Sequence, residues 1–117
     1  MTKRKARPIL EDMLAYAEEA HEILDSRDGQ ALRADRIRLL AVTRAVEIVG
    51  EAANQLPADI ASRLSIDLQP AIAMRHRLIH GYDSVSADIV AKTVQDDFPN
   101  FIAALRSILA APLPDGS

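Results

Sequence analysis

Arg33 to Leu56 reads RADRIRLLAVTRAVEIVGEAANQL, and the spacing of its apolar residues decides the fold class. Ile37, Leu40, Ala41, Ala45, Ile48, Val49, Ala52 and Leu56 recur mainly at three- and four-residue steps, the period of one face of an α-helix. Val42, Val46 and Ala53 make the opposite side apolar as well. A helix from about Arg33 to Gln55 with two apolar sides needs two partners to bury them, so the pattern predicts an interior helix of an all-α bundle. The polar stripe left over holds Arg33, Arg44, Glu47, Glu51 and Asn54. Glu47 and Glu51 are like charges four residues apart, a pairing that costs about 0.2–0.5 kcal/mol in an isolated helix, so an arginine is expected beside them.

Working outward, Ile9, Leu10, Met13, Leu14, Ala17, Ala20, Ile23 and Leu24 repeat the helical period between Pro8 and Ser26. Pro8 is tolerated in a first turn, and Asp28-Gly29 marks the turn that ends this helix. Its other face carries Glu11, Glu18, Glu19, Glu22 and Asp25, an acidic solvated surface in which His21 is also read as solvated. On the far side, Pro57 opens a short helix to about Leu64, Ser65 to Gln69 forms a loop, and Pro70 opens a helix over Ala71 to about His80 that Gly81 closes. The next helix runs from about Ser86 to Phe98 with Val90, Val94 and Phe98 on one face. Pro99 breaks or kinks it before Phe101, Ile102, Leu105, Ile108 and Leu109 resume the stripe. The expectation is a single domain over residues 1–117, an up-and-down bundle of four to five helices, with 1–7 and 111–117 as frayed tails.

A chain of 117 residues supports one hydrophobic core and has no room for a second. Hydrophobic residues at 49% and charged residues at 26% belong to a globular protein rather than a disordered one. With aromatics at 3% and no alternating β-branched runs, the composition favours helix over sheet. The absence of cysteine excludes disulfides, a thiolate metal cage and a cysteine nucleophile together. No apolar run approaches the roughly 18 residues of a membrane span. The basic opening Lys3 to Arg7 leads into Pro8 and an acidic helix rather than the apolar segment of a signal peptide, so a cytoplasmic protein without membrane contact is expected. A net charge of −3 argues against holding nucleic acid by bulk electrostatics, although a few local arginines suffice to grip one or two phosphates.

Chemistry concentrates in Met74-Arg75-His76-Arg77-Leu78-Ile79-His80-Gly81-Tyr82. An imidazole at a helix C-terminus is favoured in its charged form and exchanges protons near neutrality. A guanidinium holds a phosphate through a two-pronged contact and opposes charge building on phosphorane oxygens. His80 and Arg75 are therefore sufficient for metal-free RNA cleavage in which the substrate's own 2′-hydroxyl attacks. Five residues apart, their directions on an unbroken helix differ by about 140°, so either the helix stops or two chains contribute. Gly81 suits a left-handed cap that swings the chain back. Plainer readings stand beside this one: Arg75 pairs with Glu47 or Glu51 to lock helices together, His80 caps its helix, and Tyr82 packs in the core. His76 and His80 have the i, i+4 spacing of metal ligands, but no glutamate lies between them and no third ligand is near in sequence, so neither a metal nor any other cofactor is expected.

Three blocks occur in order: Arg44-Ala-Val-Glu47-Ile-Val-Gly50-Glu51-Ala-Ala-Asn54, then Ile72 to Tyr82, then Asp97-Phe98-Pro99. Together they resemble the HepT-like branch of the HEPN superfamily, over most of the chain from Arg36 to Leu105. The resemblance implies a dimerising helical bundle and an Arg-x4-6-His ribonuclease motif on Arg75 and His80, with RNA, and by the resemblance alone tRNA, as substrate. His76 matches the supporting polar position, and Tyr82 matches the tyrosine that an MntA-like nucleotidyltransferase antitoxin modifies with AMP. Glu47 and Glu51 are taken as supporting residues, Arg44 and Arg77 as substrate contacts. The sequence departs from many relatives in lacking two tryptophans, which bears on packing, and in carrying His76 where asparagine is common, which bears on the tuning of the site. A twofold axis through a homodimer also resolves the 140° problem, because a cleft lined by two copies of Arg75 and His80 needs no break in the helix. The rival reading is a non-catalytic helical binding subunit of a two-chain nucleotidyltransferase.

Overall fold

Asp28 and Asp35 set the boundaries ahead of the central helix in the computed structural model, which describes residues 5–80 and 86–113. The Asp28 carboxylate accepts from the Ala31 N–H at 2.9 Å and starts a short helix; Asp35 accepts from the Arg38 N–H at 3.1 Å and starts the long one. The chain accordingly folds as α1 (Ala6–Leu24), α2 (Gly29–Ala34), α3 (Arg36–Gln55), α4 (Ala58–Ala61), α5 (Gln69–His80), α6 (Ala87–Lys92), a π-helical turn (Thr93–Asp97) and α7 (Phe98–Leu109). Among the described residues there is no strand.

The continuous helix expected from Arg33 is thus broken at Asp35, whose backbone lies outside the helical region at φ −119° and ψ 87°. Arg38 holds the break: its Nε donates to Asp35 at 3.1 Å, and its Nη1 donates to the carbonyl of Ile23 near the end of α1. Arg33 consequently leaves the polar stripe of the central helix and pairs with Asp88 of α6 at 3.1 Å. Gly29 makes that approach possible, because a Cβ there would lie 1.9 Å from Asp88 Oδ1 and 2.5 Å from its Cα.

α1 packs against α3 and α7, and α3 packs in turn against α5, so the central helix meets a partner on each of its two apolar sides. Ile9, Leu10, Met13 and Leu24 of α1, Val42 and Val49 of α3, and Val90, Val94 and Leu105 beyond them are essentially removed from solvent. The four-to-five-helix expectation corresponds to four rods, α1, α3, α5 and the continuous α6–π–α7, with α2 and α4 as short connectors. Pro99 does not break the last rod. A proline lacks the N–H for an i→i−4 bond and clashes with the carbonyl it faces; here the wider π turn precedes it and Pro99 falls in the first turn of α7, where the missing donor is harmless.

Of the two expected tails, residues 1–4 and 114–117 lie outside the described residues, and Lys5, Ala111 and Pro112 are exposed. Ala6 and Leu113 are buried, and the Arg7 guanidinium donates to the carbonyls of Leu109 and Ala111, both at 3.3 Å, filling acceptors that the end of α7 leaves open. His21, read from the sequence as solvated, is half-buried in a shallow groove between α1 and α7, beside the Glu18–Arg106 ion pair. No helix among the described residues is long and apolar enough to cross a membrane.

Asp35 carries a pH dependence. The Arg38 N–H first, and the Arg38 guanidinium second, hold its carboxyl below the ordinary value of 3.8. A depressed folded-state value gives a contribution that is fully present above 3.8 and is lost as pH falls through the folded value. Asp35→Asn keeps a cap acceptor but removes the charge, so it should melt a few degrees below the wild type at pH 7, with the gap closing in acid below pH 3.8. Thermal melts across pH check this; a gap independent of pH contradicts it.

Candidate active site

Gly50 sits in the middle of α3 and faces α5. A Cβ on Gly50 would lie 2.5 Å from the carbonyl oxygen of Ala71 and 2.5 Å from the Cβ of Arg75, so the missing side chain is what lets the two helices touch. This contact lays the stem of Arg75 along α3, and Glu51, the next residue of α3, presents a carboxylate oxygen 3.7 Å from Arg75 Nε. The arginine expected beside Glu47 and Glu51 is in fact two arginines. Arg44 pairs with Glu47 along α3, and Arg75 reaches Glu51 from α5. The Arg75 side chain is 22% exposed and its Nε is buried without a hydrogen-bond partner.

α5 is helical without interruption from Gln69 to His80. Arg75 and His80 are therefore separated by about 140° around one helix, and the stop between them that the sequence left open does not occur. His76 and His80, one turn apart, are exposed on the outward face, with ring centroids 4.6 Å apart and planes tilted by 58°. Between the directions of Arg75 and His80 lies Ile79, 40% exposed. Arg77 projects from the exposed side of the same helix. Gly81 and Tyr82 lie outside the described residues.

The structure thus joins Arg75 with Glu51, Arg44 with Glu47, and His76 with His80, while Arg75 and His80 of one chain point apart. Arg44, a candidate substrate contact, is largely exposed but engaged by Glu47. Among the described residues no group of three or more His, Asp or Glu side chains is placed to hold a metal ion.

Beside the motif, the N-terminal half of α3 leaves Ile37 83% and Leu40 54% exposed. Leu40 joins Leu39, Thr43, Leu78 and Val90 in lining a groove of about 250 Å³, so part of the apolar stripe of α3 lacks a partner among the described residues. Another cleft of about 220 Å³ lies at the other end of α5, around Pro70, Phe98 and Phe101, and contains none of Arg75, His76, Arg77 and His80. The role of Gly50 escapes a reading of the sequence alone; its signal is a glycine in the middle of a helix otherwise rich in good helix formers.

The family model described as ribonuclease HepT-like matches residues 13–108. The chain belongs to the HepT-like ribonuclease family. A relative from Thermococcus cleftensis named "Probable ribonuclease HepT" is 34% identical over 100 residues, covering 84% of this chain and 90% of the relative. A protein of Methanocaldococcus jannaschii named as an RNase is 27% identical over 110 residues, 93% of this chain and 95% of its own. One from Caldanaerobacter subterraneus, also named as an RNase, is 29% identical over 104 residues, with 88% and 93% covered. No solved structure matches the chain. In this HepT-like chain the family match spans α3 and α5 entire, including every described motif residue.

Glycine to alanine inside a helix ordinarily stabilises by roughly 0.5–1 kcal/mol. At Gly50 the new Cβ meets backbone that has nowhere to go, and overpacking of that kind costs about 1–3 kcal/mol. Gly50→Ala is therefore expected to be destabilising in urea denaturation; a stabilised variant contradicts the close α3–α5 contact.

Proposed function

We propose that this HepT-like chain is the toxin of a toxin–antitoxin pair, a metal-independent endoribonuclease that works as a homodimer on RNA, with tRNA as the substrate class. The observation that carries the ribonuclease reading is the family match over residues 13–108; the unbroken α5, which keeps Arg75 and His80 of one chain on diverging sides of a helix, supports its dimeric form. In this reading the exposed Ile37, Leu40 and Ile79 are buried at a twofold axis, and Arg75 of one subunit works opposite His80 of the partner subunit.

In that cleft His80 takes the proton of the substrate 2′-hydroxyl as its oxygen attacks the adjacent phosphorus. The bond from phosphorus to the 5′-oxygen breaks as that oxygen takes a proton from a solvent water, and the His80 imidazolium gives its proton back to solvent afterwards, so each site uses one His80. Arg75 holds the non-bridging oxygens and opposes the charge that develops on them. His76, in ring contact with His80, supports binding or proton transfer, and Arg77 and Arg44 contact flanking phosphates, Arg44 after exchanging Glu47 for substrate. The products carry a 2′,3′-cyclic phosphate and a 5′-hydroxyl. Tyr82 is the residue that an MntA-like nucleotidyltransferase antitoxin modifies with AMP, adding bulk and negative charge where substrate phosphate belongs.

Induced expression of the wild type is expected to arrest growth and to generate RNA ends with a 2′,3′-cyclic phosphate. Arg75→Ala and His80→Ala should each lower cleavage by about 100-fold or more while remaining folded. Purified wild type should cleave equally well in EDTA, and Tyr82→Phe should cleave normally but resist covalent silencing by the antitoxin. Equal and harmless behaviour of wild type and both motif variants, with no RNA cut, contradicts the ribonuclease and favours a binding subunit.

A further inference from the structure

The Nε–H edge of Arg75 is buried and has no hydrogen-bond partner, while the Glu51 carboxylate stands 3.7 Å away, just outside hydrogen-bond reach. A buried charged donor left unsatisfied is costly, and a small rotation of one side chain closes the gap. Glu51 is the side chain with room to make it, being 48% exposed. Glu47, the other carboxylate on this face, is already engaged by Arg44. The stem of Arg75 has no such freedom, because its Cβ is pressed against the backbone at Gly50, so only the orientation of the guanidinium head remains to be set.

We propose that Glu51 is a positioning residue for Arg75, an inference that rests on the ribonuclease reading above. Its carboxylate accepts the Nε–H and fixes the plane of the guanidinium, which leaves the two terminal amino groups directed at the scissile phosphate. Glu51 touches neither substrate nor reacting atoms. Its effect appears in the transition state, where a misdirected fork loses the geometry that matches the phosphorane oxygens, and a displacement on the order of 1 Å costs up to about 100-fold.

The test compares Glu51→Ala and Glu51→Gln with wild type in steady-state RNA cleavage, alongside thermal melts and the NMR signal of the Arg75 Nε–H, assigned by its loss in Arg75→Lys. Glu51→Ala is expected to lower kcat by about 10- to 100-fold with KM changed less than about threefold, and to speed solvent exchange of the Nε–H. Glu51→Gln retains an acceptor oxygen and should stay within about threefold of wild type in kcat, with the Nε–H still protected. Wild-type kcat in Glu51→Ala, or losses in both variants that merely track a lower melting temperature, overturns the proposal while leaving the ribonuclease intact. Equal Nε–H exchange in wild type and both variants overturns it whether or not any RNA is cut, and the absence of cleavage by wild type counts against the ribonuclease reading separately.

Discussion

The close approach of α3 and α5 at Gly50 is the constraint on which the rest of the site depends. With no Cβ at that position, the backbone of α5 comes near enough for Ala71 and Arg75 to touch the central helix. Two consequences follow from one missing side chain. The stem of Arg75 is held against α3, and Glu51 comes within reach of a cation from another helix. A guanidinium half-sunk between two helices is expensive unless a carboxylate answers it, and α3 supplies one at the adjoining residue. Packing and electrostatics are therefore set by the same contact, and a change to either disturbs both.

The same helix pair bears on the proposed homodimer. α3 buries its apolar sides against α1 and α5 along most of its length, but its first turns run past the end of that cover and leave Ile37 and Leu40 in solvent. α5 meanwhile stays helical through His80, so its two chemically useful residues diverge. Exposed apolar area next to a divided pair of functional groups is economically explained by a second copy that covers the one and completes the other. Under that proposal, helix continuity and surface hydrophobicity are two aspects of one arrangement.

Much of the fold is legible in the sequence wherever burial alone sets the pattern. The period of Ile9, Leu10, Met13, Ala17, Ala20 and Leu24 reads directly as the buried face of α1, and the doubly apolar stretch after Arg36 reads as an interior helix. What escaped is local chemistry that leaves the apolar period intact. Asp35 ends α2 and caps α3 inside an apparently continuous pattern, so the apolar period alone assigns Arg33 to the wrong helix; Pro99 reads as a break or a kink because nothing in the residue string announces a π turn. At the candidate site, the identities of Arg75, His76 and His80 stand out through their density and their family resemblance, whereas their partners depend on which helices meet. Arg75 pairs with Glu51, the residue next to its contact at Gly50, while Glu47 pairs with Arg44 of its own helix, and the first of these pairings shows only in the tertiary structure.

Mixing two inactive variants tests most directly whether the divided motif is completed across a twofold axis. Arg75→Ala and His80→Ala chains are purified separately, unfolded and refolded together, and assayed for RNA cleavage. If Arg75 of one subunit works with His80 of the partner subunit, half of the dimers are mixed and each holds one intact site of two, so activity should return to about a quarter of wild type. If the mixture stays as inactive as its components while wild type treated in the same way is active, each chain uses its own pair and the twofold account of the site is wrong.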